Sequence, residues 1–278
     1  MTSPTEPHTG VFSHINGPRD DLLDRLAVAE ICKGWPVYRD ASEWQNFRSL
    51  FAPKATVWTT WSGPCDIDAF INVSKEGKAR GVFIQHRECG TLVELGPDAP
   101  GEGYDVEGDT AVASQRSGND TVTGTGTDTA GGNATVPSSA PSRSVRRAVG
   151  KMKATITQRF VNPGDGIEFD VDCDCRFLFF LEKIKGPAGD AAWRTVYVKL
   201  FYEKDKIVPA DGHSTPALTA EERAYMQDEL PEGYRYLGVM QRRLGYAVDA
   251  KLPTPRNAGW EAMYKAMEAW LVGDKVEL

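Results

Sequence analysis

Apolar positions begin at helical spacing and later switch to alternation. Over residues 20–40, Leu22, Leu23, Leu26, Val28, Ile31 and Cys32 follow a helical period and predict an amphipathic helix. Pro36, soon after Gly34, allows a kink near its end. A second helix is predicted over 41–52, with Trp44, Phe47, Leu50 and Phe51 on one face. The β-branched and aromatic run ATVWTTW (55–61) predicts a strand, and 66–78 a short helix carrying Phe70, Ile71 and Val73. Further strands are predicted within 81–95 and over 151–161, 167–183 and 193–203, with the turn Asn-Pro-Gly-Asp-Gly at 162–166. Helices come early and strands late. That is an α+β order, with helices packed on one face of a curved antiparallel sheet. Strands this long suit a strongly bent sheet wrapping a cone-shaped cavity.

Two stretches break the pattern. Residues 1–18 are rich in Pro, Thr, Ser and Gly and read as a flexible N-terminal arm. Residues from about 97 to 147 are dominated by Gly, Ser, Thr, Asp and Pro, and their few large apolar side chains cannot offset the ordering entropy. This insertion is expected to be a disordered loop between two strands, with a brief ordered piece at 110–115; the alternative is a lid over a pocket. The domain is therefore expected over 19–210, interrupted by the insertion, with a helical extension at 211–278. In that extension Thr219 and Glu222 form a capping box, and 233–245 looks helical. Trp260, Met263, Tyr264, Met267, Trp270 and Leu271 share one helix face. That face is expected to pack on the sheet or on a partner subunit.

Composition narrows the function classes. The 278 residues carry 32 basic against 39 acidic side chains, a net charge of −7. Such a balance argues against nucleic acid as a partner, because phosphate neutralisation needs a basic surface. No apolar run approaches the ~18 residues of a membrane span, so no membrane partner is expected. The opening residues lack a basic segment followed by an apolar one, so no signal peptide is expected. Five cysteines, an odd number without a CxxC pair, fit a reduced, cytoplasmic protein.

Of the four histidines, His8 and His14 lie in the arm and His213 follows the last strand, so only His86 sits within a predicted barrel strand. An imidazole titrates near neutral pH and can take a proton from a phenol or an activated C–H and return it elsewhere. The plainer reading is a core histidine satisfied by a backbone carbonyl. Asp40 ends the first helix, where it can orient His86 or act as the base; equally, it can cap the following helix with Glu43. Tyr38 is a candidate acid or oxyanion donor, or else a half-buried aromatic. Lys153 would stabilise an enolate or phenolate if the hairpin register set it opposite Cys175. A one-residue slip would instead turn it outward, towards Asp170, Asp172 and Asp174. Trp58 or Trp61, whichever points inward, is expected to stack on a flat aromatic substrate, with Trp44 close by. No four-ligand metal set, dinucleotide fingerprint, Walker loop or nucleophile elbow is visible. Acid–base chemistry without metal or cofactor is what remains.

The run LAVAEICKGWPVYRDASEWQNFRSLFAPKATVWTTW resembles the opening of the SnoaL-like group of the NTF2-like superfamily. It carries a helix ending in Tyr38-x-Asp40, then Trp44, a Phe-Ala-Pro segment at 51–53 and an aromatic first strand. Ile84-Gln85-His86 resembles the Gln-His segment of scytalone dehydratase, and KATITQRF a strand of related fungal and bacterial proteins. The likeness covers roughly 20–95 and 148–208. It implies a cone-shaped α+β barrel with one deep pocket, often assembled as a homodimer or trimer, and adds weight to His86 as the catalytic group. Scytalone dehydratase has a second catalytic histidine on the strand corresponding to 151–160; here Met152 or Lys151 takes its place. With Met152, Cys175 and Phe177, on the apolar side of their strand, are counted as substrate-binding candidates. The expected function is a cofactor-independent isomerase or cyclase of secondary metabolism acting on a small aromatic, polyketide-like substrate, for example ring closure of a chalcone-like phenol onto its enone. A scytalone dehydratase-like hydro-lyase and a non-catalytic binding or assembly module are the alternatives. An enzyme would show His86 near Asp40 or Tyr38, lining a cavity of roughly a few hundred cubic ångströms.

Overall fold

The long alternating runs assemble into one open sheet. The computed structural model describes residues 10–100, 103, 144–186, 189–190, 192–255 and 257–278. The early elements are α1 (Arg19–Asp40), α2 (Trp44–Arg48), β1 (Phe51–Thr59), β2 (Gly63–Asp66) and α3 (Ile67–Ala79). The strands β3 (Phe83–Pro100), β4 (Ser144–Val161), β5 (Glu168–Gly186), β6 (Gly189–Asp190) and β7 (Arg194–Pro209) follow. The tail adds α4 (Ala220–Asp228), a 3₁₀ turn (Glu232–Tyr234), α5 (Arg235–Arg243) and α6 (Ala258–Leu271).

The strand order is β2-β1-β7-β5-β4-β3, with β6 pairing only the end of β5. β1 and β7 run parallel and the other pairs antiparallel. β2 and β3 are left as edges, so the barrel expected from the sequence is an open, curved sheet. Register shifts at Glu88/Gly90 and Asp174/Cys175 bend it, as bulges do. The concave side is filled by α1, α3 and the 230–252 tail rather than by strand closure. α1 comes close where β4 has no side chain: a Cβ on Gly150 would sit 2.4 Å from Cys32 Sγ.

Alternation assigns the faces. On β5, Val171, Cys173, Cys175, Phe177 and Phe179 point into the concave core with Trp35, Phe70, Leu237 and Met240. Leu178 and Phe180 point to the convex side, where α6 covers them with Met263, Met267, Trp270 and Leu271. The unbroken apolar run at 177–181 is thus buried on both faces, and the predicted stripe of α6 packs on the sheet.

Other expectations need adjusting. The helix expected over 41–52 shrinks to the five residues of α2, because Phe51 already pairs with Thr195 and Leu50 O accepts from Thr195 N. Leu22, Leu23 and Leu26 are exposed; the buried stripe of α1 is Val28, Cys32, Trp35 and Arg39. Pro36 lies inside α1, which continues to Asp40. β2 and β6 were not foreseen. Strand pairing continues to Pro100 on β3 and starts at Ser144 on β4, so both ends of the expected insertion are strand. Its middle, with the piece expected at 110–115, lies outside the described residues, as does 1–9. Of the arm, Ser13 bridges to Leu95.

Candidate active site

Helix α1 ends against His86. Its last residue, Asp40, accepts from the backbone N–H of His86 through Oδ2 at 2.6 Å, and its Oδ1 lies 2.7 Å from His86 Nδ1. Strand alternation turns Ile84 and His86 inward and leaves Phe83, Gln85 and Arg87 outside. With a carboxylate at Nδ1, that nitrogen carries the proton and Nε2 keeps its lone pair. The helix end is fixed by Lys78, whose Nζ donates to the carbonyls of Arg39 (3.0 Å) and Asp40 (2.5 Å) and to Ser42 Oγ (3.0 Å). A cation at a helix C-terminus is also favoured by the dipole. The His86 side chain is only 4% exposed. Burial pushes its pKa below the usual histidine value, and the hydrogen bond to Asp40 opposes that shift. The balance favours the neutral form of the ring.

Two narrow clefts meet beside this pair. The inner one is lined by His86 with Trp35, Phe70, Phe177 and Tyr202, and by Leu237 from α5. The outer one is lined by Ser74, Gly77, Lys78, Val82 and Tyr246. Arg39, Trp61, Ile84, Gln158 and Gln241 belong to both and form the neck between them. Each encloses about 20 Å³, room for about one water. The expected cavity of a few hundred cubic ångströms is thus largely filled. The reason is the tail: Leu237 and Gln241 of α5, with Tyr246, line the space the cone would leave open. The tail is pinned to the sheet by Asp249, which donates its N–H to Thr60 O at 2.8 Å and accepts from Trp58 Nε1 at 2.7 Å.

The lining is rich in polar groups without partners. Among the described residues, Arg39 Nε and Nη1, Trp35 Nε1, Thr60 Oγ1, Ser74 Oγ and Gln241 Oε1 are buried with no hydrogen bond. Burial lowers the Arg39 pKa from its usual value, opposed by Asp40. Such groups are costly in a folded interior unless something meets them. Among the described residues, no group of three or more His, Cys, Asp or Glu side chains comes together as a metal cluster.

The sequence-derived candidates separate clearly. His86, Trp61 and Phe177 line the clefts, and Asp40 sits directly behind His86. Asp40 does not cap α2, whose N-cap is Glu43. Tyr38 packs half-buried against the core, outside both clefts. Lys153 is a correction: Ala154, not Lys153, faces Cys175. Lys153 lies opposite Arg176 on the outer face, 3.5 Å from Glu203 and 55% exposed. Met152 and Cys175 are buried in the core rather than in the cleft lining, and Cys175 Sγ donates to Ala154 O. Trp58 turns away to Asp249, with Lys199 over its ring, and Trp44 stacks under Lys75 and Lys78. Arg39, Gln158, Tyr202 and Gln241 were missed. For Arg39 the signal was there: residues 28, 32, 35 and 39 recur at helical spacing and place it on the buried face with Trp35.

The SnoaL-like domain model matches residues 20–199. The chain is 35% identical to a PEP2-like protein of Fusarium vanettenii, over 95% of this chain and 92% of that one. The pea pathogenicity protein 2 of the same organism gives the same identity and coverage. An uncharacterised protein of Emericella nidulans is 34% identical over 99% of this chain and 96% of its own. Among solved structures, a putative scytalone dehydratase of Novosphingobium aromaticivorans is similar at 10% identity and a TM-score of 0.32, covering 72% of this chain and 93% of that one. A cystatin-like protein of Caulobacter vibrioides is similar at 12% identity and a TM-score of 0.31, covering 66% of this chain and 89% of that one. Among the described residues no helix is long and apolar enough to cross a membrane.

Proposed function

The chain belongs to the SnoaL-like domain family, and on that premise we propose that it is a cofactor-independent acid–base enzyme in which His86, oriented by Asp40, moves a proton on a flat aromatic, polyketide-like substrate. The observation that carries this reading is the Asp40–His86 pair at the inner cleft. Asp40 grips both the ring and the backbone of His86, so the imidazole is held in one tautomer with Nε2 as the acceptor. The aromatic lining of Trp35, Trp61, Phe70 and Phe177 suits a planar ligand. Because the cleft is narrow, substrate binding requires Trp61 and the α5 side chains to give way.

Among proton-transfer reactions, isomerisation or ring closure by addition of a phenol to a conjugated enone fits best. His86 would take the phenol proton and return it to the carbon α to the carbonyl, so one residue serves both steps. Dehydration by two histidines has no second imidazole here: Met152 is in the core, and Lys151 is bonded to Glu94.

The test is product analysis on a panel of hydroxylated chalcones and related polyketide phenols. An isobaric product indicates isomerisation or closure, and loss of water indicates dehydration. His86→Ala is expected to lower turnover by about 10²- to 10⁴-fold. The acid limb of kcat/KM is expected below the ordinary histidine pKa of about 6.5, since burial shifts His86 downward and protonation removes the base. Turnover unchanged in His86→Ala refutes the reading.

A further inference from the structure

Arg39 is a charged cleft group whose burial the proposed proton transfer does not explain. The residue is 5% exposed, and two of its three guanidinium nitrogens, Nε and Nη1, are buried without a hydrogen bond. Its nearest carboxylate, Asp40, lies 3.8 Å away, and both oxygens of that carboxylate are already engaged by His86. An arginine stays charged even when buried, and its planar fork of donors matches an oxygen anion. Neither cleft has a carboxylate among its lining residues, whereas Lys78 adds a second positive charge to the outer one. Arg39 itself sits at the neck, with Gln241 Oε1 and Thr60 Oγ1 also unpartnered beside it. The clefts thus set two cations beside aromatic side chains, with no carboxylate among the lining residues.

We propose that Arg39 binds an oxyanion carried by the ligand, a phenolate or a carboxylate on an aromatic frame, and so selects flat aromatic anions for this cleft. The inference rests on the reading of this cleft as a substrate site, but it concerns ground-state binding and not the proton transfer. Arg39 would meet its hydrogen-bond demand only in the complex. The guanidinium supplies the charge, and the aromatic lining of Trp35, Trp61, Phe70 and Phe177 favours a planar frame for the anion.

Two probes distinguish the sources, each with the full chain. For a phenolate, 4-nitrophenol is titrated by absorbance in the presence of saturating protein. Its pKa when bound is expected to fall by about one unit in the wild type and to return to the free value or above in Arg39→Gln. For a carboxylate, quenching of the cleft tryptophans compares trans-cinnamate with cinnamamide. A preference for the anion of about tenfold is expected in the wild type and its loss in Arg39→Gln. Should Arg39→Gln fail to fold, Arg39→Lys decides, with the shift or the preference reduced at least by about threefold through loss of the fork. Both readouts are ligand binding and neither needs turnover, so a wild type that shows the effect but converts none of the phenol panel separates this proposal from failure of the acid–base reading. The proposal is overturned if the wild type shows neither effect. It is equally overturned if the effect survives in Arg39→Gln.

Discussion

Both faces of the sheet bury aromatic side chains but treat polar groups differently. On the convex side, Trp270 Nε1 donates to Ala148 O, Arg176 binds both Glu203 and the Tyr264 hydroxyl, and Arg147 binds Glu182 and lies over the Trp270 ring. On the concave side, five of the seven described residues with unpartnered buried polar atoms line the two clefts. A fully satisfied face is what stability alone would select. An unsatisfied one leaves donors and acceptors that a water or a ligand can meet. The comparison thus sets a side whose named polar groups are paired against a side with unmet polar groups at the clefts, where the proposed function puts the ligand.

The largest expected effect separates the two sides most sharply. Asp40→Asn keeps the volume and an acceptor for the His86 N–H but removes the carboxylate at Nδ1. The hydrogen bond that raises the His86 pKa weakens, so the pKa falls further and the favoured tautomer is lost. Turnover is expected to fall by about 10²-fold or more, with the acid limb moved to lower pH. Wild-type turnover with an unmoved limb would remove Asp40 from the proposed mechanism.

On the opposite face the balance should reverse. Trp270 is 3% exposed and packs edge-on against both Phe180 and Tyr197. Trp270→Ala is expected to cost about 3–5 kcal/mol, read as a lower denaturant midpoint, while the variant that remains folded turns over like the wild type. A fall in turnover without a change in stability would show that α6 serves the cleft and would dissolve the division between the faces.

How much of this was legible in the sequence depends on the range of the signal. The pairing of Asp40 with His86 was readable because one sits at a helix end and the other is the sole histidine within a strand among the described residues. The stripe of α6 was equally local. Arg39 was hidden in plain periodicity: Leu22, Leu23 and Leu26 drew attention to a face that is exposed, although 28, 32, 35 and 39 mark the buried one. The filling of the cleft was not legible, since it depends on Leu237 and Gln241 packing against residues some 200 positions earlier. Nor was the β4–β5 register, because the loop could close at more than one length. It closes with Val161 opposite Glu168, held by Asn162 N to Ile167 O and Gly166 N to Asn162 O. That choice decides the orientation of every residue on the hairpin.

The smallest expected effect tests that register directly. With Val161 paired to Glu168, Lys153 falls on the face of Arg159, which binds Asp170, and of Thr155 and Thr157, which donate to Asp174 and Asp172. This is a part-exposed ladder in which solvent screens the charged pairs. Lys153 contributes one contact to Glu203, and Glu203 keeps Arg176 when the lysine is removed. Lys153→Ala is therefore expected to change stability by less than about 1 kcal/mol and turnover by less than about twofold. A loss of turnover by orders of magnitude would mean that the lysine reaches the cleft. That requires the hairpin to slip by one residue, which would carry Met152, Ile156 and Gln158 out of the concave side. The core and the site would then fail together, so the near-silence of this one substitution bears on the whole assignment of faces.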